Sequence, residues 1–167
     1  MKKVLIIGCP GNGKSRLAKI LGKQLNIPVI HLDQLFWKPN WVECPREEFL
    51  QLLTQELEKD AWIMDGNFGN TIPLRLQYAD HVILLNYPSW VCYFRVLKRV
   101  ITNYGKTRDD MTSGCNEKLD LAFMRYIRGF KKNKLPKIRQ MLSESSVLVT
   151  EITSDKQLEQ FLKSLAK

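Results

Sequence analysis

A glycine-rich pattern typical of phosphate binding stands near the amino terminus, directly after a short apolar run. Its residues are Gly8, Cys9, Pro10, Gly11, Asn12, Gly13, Lys14 and Ser15, followed by Arg16, and they fit G-x-x-x-x-G-K-[ST]. The glycines let backbone N–H groups turn inward around phosphate oxygens, and the helix that follows presents its positive end to the same anion. Residues 8–16 are therefore predicted to bind a nucleoside triphosphate.

The last two residues of the pattern carry its chemistry. The ammonium group of Lys14 is expected to reach the β- and γ-phosphates, and the Ser15 hydroxyl to coordinate a Mg²⁺ ion that bridges them. The residues do not fit the dinucleotide-binding pattern G-x-G-x-x-G, because Arg16 occupies the position where that fold needs a small residue. The sequence therefore predicts ATP and Mg²⁺ as cofactors, and Lys14 is also a predicted catalytic residue.

Two acidic residues come directly after predicted strands. Asp33 follows the apolar run 29–32, and Asp65 follows the run 62–64. In a parallel sheet both positions lie at the edge where ligands bind, so Ser15, Asp33 and Asp65 are the predicted metal-site residues. Asp33 has two further alternatives, which are to bind an acceptor hydroxyl or to take its proton as a general base. A helix cap at Asp33 and a turn at Asp65 are the purely structural alternatives.

Arginines beyond the fourth predicted strand form a second candidate group. Arg95 and Arg99 are four residues apart on a predicted helix, so they should lie on one side of it. The opposite side is expected to face the core through the apolar stripe Trp90, Phe94, Leu97 and Ile101. Planar guanidinium groups match the charge that spreads over a phosphoryl group during transfer. Arg95 and Arg99 are therefore predicted catalytic residues.

A polar segment bounded by glycines, residues 104–115, interrupts the alternation of strands and helices. It is interpreted as a mobile flap, with an ordinary surface loop as the alternative. Arg108 in this segment is predicted to close over the phosphates, together with Arg125 and Arg128 on a helix expected to begin near Glu117. Closure would also exclude water and suppress wasteful hydrolysis of ATP.

Short apolar runs that alternate with amphipathic segments predict the fold. The runs typical of buried strands are 4–7, 29–32, 62–64, 82–85 and 147–149. Between them, apolar residues recur at helical spacing, as in Leu17, Ile20, Leu21 and Leu25 and in Phe49, Leu53 and Leu57. Parallel strands need crossover helices, so the pattern predicts an α/β domain over residues 1–167 with a doubly wound, five-stranded parallel sheet.

The composition is that of a globular domain with an excess of positive charge. The chain has 167 residues, of which 44% are hydrophobic and 26% charged. It shows no secretory signal or apolar segment of membrane length, and its four cysteines lack metal-ligand spacing, so we expect reduced thiols and a cytoplasmic location. The net charge of +9 favours polyanionic partners, and the basic segment 131–139 makes DNA an alternative partner, although no DNA-binding motif supports it.

Several segments together resemble the bacterial topology modulation proteins, which are relatives of the adenylate, shikimate and gluconate kinases. The segments that carry the resemblance are residues 6–15, 31–37, 62–68, 104–108, 114–115 and 117–120. The first is common to many phosphate-loop proteins, whereas the others are specific to this family. The resemblance runs nearly from end to end of the chain.

The resemblance implies a core of the adenylate kinase type, an acceptor-binding region over about 34–60, and an arginine-bearing lid over about 100–118. It also implies that Asp33 and the aromatic pair 36–37 face the acceptor. One departure is the sequence Asp-Gly-Asn-Phe at 65–68, where adenylate kinases have Asp-Gly-Phe-Pro-Arg. The arginine that contacts a nucleoside monophosphate in those enzymes therefore has no counterpart at this point.

Three hypotheses of function follow from these residues. The leading one is an ATP- and Mg²⁺-dependent phosphotransferase that acts on a small acceptor, either as a monomer or as a homodimer. The second is a nucleotide-dependent DNA-binding regulator that affects DNA topology. The third is a nucleotide-binding protein that has lost catalysis, which the joint presence of Lys14, Ser15, Asp33 and Asp65 argues against.

Overall fold

A parallel β-sheet forms the centre of the computed structural model, which describes residues 1–165. The strands are β1 (Lys3–Gly8), β2 (Val29–His31), β3 (Trp37–Lys38), β4 (Val42–Glu43), β5 (Trp62–Asp65), β6 (His81–Leu85) and β7 (Leu148–Ile152). Five of them pair in parallel in the order β2-β5-β1-β6-β7, while β3 and β4 form a separate antiparallel hairpin. The predicted doubly wound, five-stranded parallel sheet is confirmed.

The order of the strands places β1 in the middle of the sheet and makes it a switch point. The chain passes from β1 outward to β2 and back to β5, and then crosses to β6 on the other side of β1. In such sheets the crevice beyond the carboxyl end of the strand at the switch point is where ligands bind. Residues 4–7 are fully buried, as expected for a strand with layers on both faces.

Helices connect the strands. They are α1 (Lys14–Leu25), α2 (Leu32–Phe36), α3 (Arg46–Leu57), α4 (Ile72–Leu76), α5 (Ser89–Asn103), α6 (Leu121–Asn133), α7 (Leu135–Ser143) and α8 (Asp155–Leu165). The predicted core stripes of the first and third are largely confirmed, since Leu17 and Leu21 on α1 and all three apolar residues predicted on α3 are buried. No helix in the described residues is long and apolar enough to span a lipid bilayer.

The prediction for the core face of α5 was wrong. Trp90, Phe94 and Ile101 are 68%, 61% and 72% exposed. The buried face consists of Cys92, Val96 and Val100, which also recur every four residues. Because the helix carries apolar residues around most of its circumference, the sequence pattern fits two different faces. Arg95 and Arg99 are nevertheless only partly exposed and turn toward the ligand edge of the sheet.

Two other boundaries differ from the prediction. The helix expected from about Glu117 begins at Leu121, and the side chain of Asp120 caps it by accepting a hydrogen bond from Phe123 N at 3.0 Å. The fifth strand, expected to be buried at 147–149, spans Leu148–Ile152 and is mostly exposed. This strand lies at the edge of the sheet, where only β6 pairs with it.

Candidate functional site

The loop between β1 and α1 has the backbone geometry that its glycines allow. Gly8, Gly11 and Gly13 have φ angles of 144°, 85° and 88°, in the region that side chains other than glycine rarely adopt. The loop is held from both sides, because Gly8 N donates to Asn67 Oδ1 at 3.0 Å and Asn12 Nδ2 donates to Leu85 O at 2.7 Å. The helix α1 begins directly after Gly13, so its positive end points at the loop.

Replacing Gly8 with alanine is expected to destabilise the protein by about 2–4 kcal/mol. The added Cβ would lie 2.1 Å from the backbone oxygen of Leu85 and 2.3 Å from Asn12 Nδ2, so the loop must shift. Urea unfolding measures the loss of stability. Gly69→Ala is the matched control, because a Cβ at Gly69 meets no atom within 4 Å, and its unfolding midpoint should stay close to that of the wild type. Equal stability of the Gly8 variant and the control would contradict the described loop packing.

Lys14 reaches back over the loop, where its Nζ donates to Gly8 O and Cys9 O at 3.1 Å each. Burial lowers the pKa of Lys14 below its ordinary value, while the negative charges of Asp65 and Asp33 oppose this effect. The two carboxylates therefore help to keep the ammonium group charged. A phosphate that entered the loop would meet this cation and the inward-facing backbone together.

Ser15 and Asp65 form the second part of the site. The Ser15 hydroxyl donates to Asp65 Oδ2 at 2.6 Å, and His31 Nδ1 lies 2.5 Å from Asp65 Oδ1. Burial lowers the pKa of His31, but the hydrogen bond and charge of Asp65 outweigh burial and raise it above its ordinary value. Sequence analysis gave His31 no role, and here the imidazole fixes the orientation of the Asp65 carboxylate.

The donor set around Asp65 fits a magnesium ion that the protein holds through few direct contacts. A hydroxyl and a carboxylate oxygen lie side by side, with Asp33 close enough to influence the same charges. Mg²⁺ keeps several waters and is bound through one or two protein groups plus phosphate oxygens. Within residues 1–165 there is no cluster of three or more His, Cys, Asp or Glu side chains suited to a metal.

Asp33 lies in the first turn of α2. The strand β2 ends at His31, and Leu32 separates the strand from Asp33. Burial raises the pKa of the Asp33 carboxyl, and the charge of Asp65 adds to this effect, while Lys14 and Arg108 oppose it. A carboxylate with a raised pKa is a better proton acceptor than one that is fully solvated. Its position beside Lys14 and Arg108 is consistent with all three roles that the sequence left open, namely partner of metal-bound water, binder of the acceptor hydroxyl and proton acceptor.

Glu117 is a buried carboxylate that holds two of the predicted arginines. Arg99 Nη2 donates to Glu117 Oε1 at 3.2 Å, and Arg108 Nε lies 3.2 Å from Glu117 Oε2. Arg99 Nε also lies 3.1 Å from Oε2, but it is not aligned for a hydrogen bond. Arg108 Nε is 3.5 Å from Asp110 Oδ1 as well. One carboxylate therefore brings an arginine of α5 and an arginine of the 104–115 segment to the same place.

Replacing Glu117 with glutamine is expected to destabilise the protein by about 2 kcal/mol. The two guanidinium groups would then repel each other without a carboxylate between them. The effect is smaller than for a fully buried pair because both arginines keep some contact with solvent. Chemical denaturation measures it, and Glu48→Gln is the control, since the Glu48–Lys38 pair is exposed and should contribute about 0–1 kcal/mol. Equal losses in both variants would contradict the importance of Glu117.

The remaining predicted arginines occupy different surroundings. Arg95 Nη2 lies 3.0 Å from Asp155 Oδ2 and its guanidinium group stacks 4.8 Å above the ring of Tyr87. Arg16 is exposed and lines the same cavity as Arg95. Arg125 and Arg128 are exposed on α6 and are not among the residues that line the cavity. The structure therefore brings Arg95, Arg99 and Arg108 to the site but not Arg128.

The predicted flap is tied to the neighbouring part of the chain by specific contacts. Lys19 Nζ on α1 lies 2.5 Å from Asp109 Oδ2, and Gln34 Nε2 donates to Asp109 O at 3.0 Å. Farther along, Trp41 Nε1 donates to Asn116 O at 3.0 Å. Residues 104–118 thus lie across the residues of the predicted acceptor-binding region, in an arrangement closed over the site. The first residues of the predicted lid, 100–103, belong to α5.

One cavity of about 850 Å³ connects these groups. Its walls include Lys14, Ser15, Asp33 and Asp65 on the sheet side, and Arg99, Arg108 and Glu117 on the other. Aromatic residues complete the lining, namely Trp37, Trp41, Phe68, Phe123 and Tyr126. A cavity of this size is typical of sites for small molecules and cofactors.

Arg75 is a fully buried residue that sequence analysis did not identify. Its Nη1 donates to Gly66 O at 2.9 Å, and its Nη2 donates to the carbonyl oxygens of Asn67 and Phe68. Burial lowers the pKa of Arg75 to about 9. The guanidinium group holds the turn after β5, where Phe68 has a φ angle of 33°. A charged residue between apolar neighbours on a short helix is the signal by which the sequence could have revealed it.

The basic segment 131–139 spans the junction between α6 and α7. Lys132, Lys134 and Lys137 are exposed, and Arg139 Nη2 lies 2.7 Å from Glu151 Oε1. This is the arrangement of a solvated helix junction, and only its charge supports binding to DNA.

No protein-family model matches this chain, and no curated protein matches it. Solved structures do match over nearly the whole length. A shikimate kinase from Acinetobacter baumannii in complex with shikimate is 14% identical and has a TM-score of 0.59, covering 100% of this chain and 96% of the other.

Two further structures are similar to the same extent. Shikimate kinase from Aquifex aeolicus is 17% identical with a TM-score of 0.55, covering 97% of this chain and 92% of that one. Shikimate kinase from Bacteroides thetaiotaomicron is 19% identical with a TM-score of 0.54, covering 97% and 94%. This chain has the shikimate kinase fold. At these identities the likeness concerns the fold, and the substrate must be argued from the site itself.

Proposed function

We propose that this protein is a kinase that transfers the γ-phosphoryl group of ATP, with Mg²⁺, to a hydroxyl group of a small molecule. The observation that carries the proposal is the single cavity lined by Lys14, the Ser15–Asp65 pair and Asp33. It joins a cradle for phosphates to a carboxylate with a raised pKa. Phosphoryl transfer is catalysed mainly by positioning and by neutralising charge, and these are the groups that do both.

Each residue of the cavity has a part in the proposed reaction. The loop 8–15 binds the phosphates of ATP, and Lys14 compensates the charge on the group that moves. Arg99 and Arg108, held together by Glu117, face the same charge from the other side of the cavity. Asp33 orients the acceptor hydroxyl and accepts its proton. The residues 104–118 cover the site and keep water from the reacting groups.

Ser15 and Asp65 are the proposed holders of the magnesium ion, with Asp33 as a further partner through water. When bound, the ion would supply positive charge that offsets the negative charge of the phosphoryl group being transferred. His31 keeps Asp65 in place for this role by its contact at 2.5 Å. Arg95, Tyr87 and Asp155 form an ordered group on the nucleotide side of the cavity.

Membership of the topology modulation family is a finer part of the same proposal. It is supported by the segments 31–37, 62–68, 104–108 and 117–120, which supply Asp33, Asp65, Arg108 and Glu117 to the cavity. We place the reaction in the cytoplasm, where ATP is available and the four cysteines stay as free thiols. The protein is proposed to act as a monomer or as a homodimer.

The direct test is to incubate the purified protein with ATP, Mg²⁺ and single members of a panel of acceptors. The panel contains nucleosides, nucleoside monophosphates, sugars, sugar acids and shikimate, and the release of ADP is compared with the rate without acceptor. At least one acceptor should raise ADP release well above that background, and the increase should vanish when EDTA removes Mg²⁺. No increase with any acceptor, in protein shown to be folded, would contradict the proposal.

A further inference from the structure

The cavity has an aromatic end, which we call the acceptor end and define by Trp37, Trp41, Phe68, Phe123 and Tyr126. These rings are connected through short contacts. The rings of Trp37 and Trp41 are 5.4 Å apart, and the rings of Phe123 and Tyr126 are stacked at 6.4 Å with 14° between their planes.

Two intermediate residues join the ring pairs into one wall. Phe36 lies 4.9 Å from the rings of both Trp37 and Phe68. The side chain of Asn67, which precedes Phe68 in the chain, lies beside the Tyr126 hydroxyl. Asp33 lies on α2, the helix that ends directly before Trp37, and it lines the same cavity as the aromatic wall.

Three arginines of the cavity are paired with carboxylates. Arg99 and Arg108 share Glu117, and Arg108 also faces Asp110. Arg95 pairs with Asp155, away from the aromatic wall. Binding a carboxylate or phosphate here would require it to compete with carboxylates that already occupy these guanidinium groups.

Two carboxylates that line the cavity belong to the elements that carry the aromatic wall. Glu43 belongs to the hairpin that carries Trp37, and Asp120 caps the helix that carries Phe123. Lys118 Nζ lies 5.8 Å from the centre of the Trp41 ring, while Lys14 and Arg108 act on Asp33. The carboxylates repel an anionic ligand and tolerate a neutral one.

We propose that the acceptor is an uncharged nucleoside: a planar ring system joined to a hydroxyl-bearing sugar, without a phosphate or carboxylate. This inference rests on the proposed function, because it assigns the acceptor of the same site. Every nucleobase has a flat π-face, so any of the bases can stack on aromatic side chains. In the reaction a nucleoside hydroxyl oxygen forms a bond to the γ-phosphorus, the bond from that phosphorus to the β–γ bridging oxygen breaks, ADP leaves, and Asp33 takes the hydroxyl proton.

The test is isothermal titration calorimetry on protein saturated with a non-hydrolysable ATP analogue and Mg²⁺, so that the nucleotide end is filled. Adenosine, guanosine, cytidine and uridine are each titrated beside their own 5′-monophosphate, which differs from the nucleoside by the phosphate group. Shikimate is titrated as a hydroxy acid. We expect at least one nucleoside to bind roughly tenfold or more tightly than its monophosphate and than shikimate.

Two variants locate the binding. Trp41→Leu is expected to weaken nucleoside binding by about tenfold, the effect of losing one stacking partner. Trp90→Leu is the matched control, because Trp90 is an exposed tryptophan of α5 outside the cavity lining, and it should bind nucleosides as the wild type does. Normal binding of the ATP analogue by Trp41→Leu shows that the variant is folded.

Three results would overturn the inference. They are tighter binding of a monophosphate or of shikimate than of any nucleoside, no binding of any nucleoside, and unchanged nucleoside binding by Trp41→Leu. Failure of the proposed function gives a different result, because the ATP analogue itself would then not bind in the first step.

Discussion

Replacing Lys14 with alanine is expected to lower the rate of acceptor-dependent ADP release by about 1,000-fold. Lys14 is the cation at the phosphate loop, and its Nζ is held by Gly8 O and Cys9 O in a position from which it can turn to a bound phosphate. Burial lowers its pKa, and the charges of Asp65 and Asp33 oppose this effect and so favour the charged form. Without Lys14, the negative charge on the phosphoryl group during transfer is stabilised by one fewer positively charged side chain.

The measurement is kcat and KM for ATP with a coupled assay for ADP, together with urea unfolding to show that the variant is folded. Lys98→Ala is the matched control, because Lys98 is an exposed residue of α5, and its kinetic constants should equal those of the wild type. A Lys14→Ala protein with a kcat/KM within about threefold of the wild type would refute the assignment.

Replacing Asp33 with asparagine is expected to lower kcat by about 100- to 10,000-fold, the range for loss of a general base. Asparagine keeps the shape of the side chain but cannot take a proton. The KM for ATP should change little, because Asp33 lies in the first turn of α2 and not in the phosphate loop. The measurement is kcat at several Mg²⁺ concentrations, with Asp60→Asn, an exposed carboxylate, as the control.

The magnesium series separates the two roles proposed for Asp33. If it accepts the proton, excess Mg²⁺ should leave the reduced kcat unchanged. If it holds metal-bound water, excess Mg²⁺ should recover much of the activity. Full activity of Asp33→Asn at ordinary Mg²⁺ concentrations would contradict both roles.

The phosphate loop and the sheet could be predicted because their signals are local in sequence. The loop is a contiguous pattern at residues 8–15, and strands such as Val4 to Ile7 are short, uniformly apolar runs. The carboxyl ends of neighbouring parallel strands meet at one edge, so the positions of Asp33 and Asp65 followed from the strands alone. In the structure Asp65 indeed lies 2.6 Å from Ser15 Oγ.

Contacts between distant parts of the chain could not be predicted from these patterns. Glu117 contacts Arg99, which is 18 residues away, through a loop whose path the sequence does not determine. The same residue was expected to begin a helix, although the better cap was Asp120, directly before the apolar-periodic segment. Arg75 donates to backbone oxygens of the turn at 66–68, and its apolar sequence neighbours suggest burial without showing which oxygens it contacts.

The buried face of α5 could not be predicted from the spacing of its apolar residues. Trp90, Phe94 and Ile101 satisfy a helical repeat as well as Cys92, Val96 and Val100 do, so spacing alone does not select the buried face. The smaller residues face the core because the phosphate loop approaches α5 closely. A Cβ on Gly11 would lie 2.5 Å from the backbone oxygen of Cys92, so large side chains would not fit there.

The most direct test of the central claim is a calorimetric titration of ATP with Mg²⁺ into the folded wild-type protein and into Lys14→Ala. The account predicts saturable binding of one ATP per chain to the wild type, weakened at least about tenfold by the substitution and by removal of Mg²⁺. Absence of any saturable binding of ATP to the wild-type protein, or equal binding by both proteins, would contradict it.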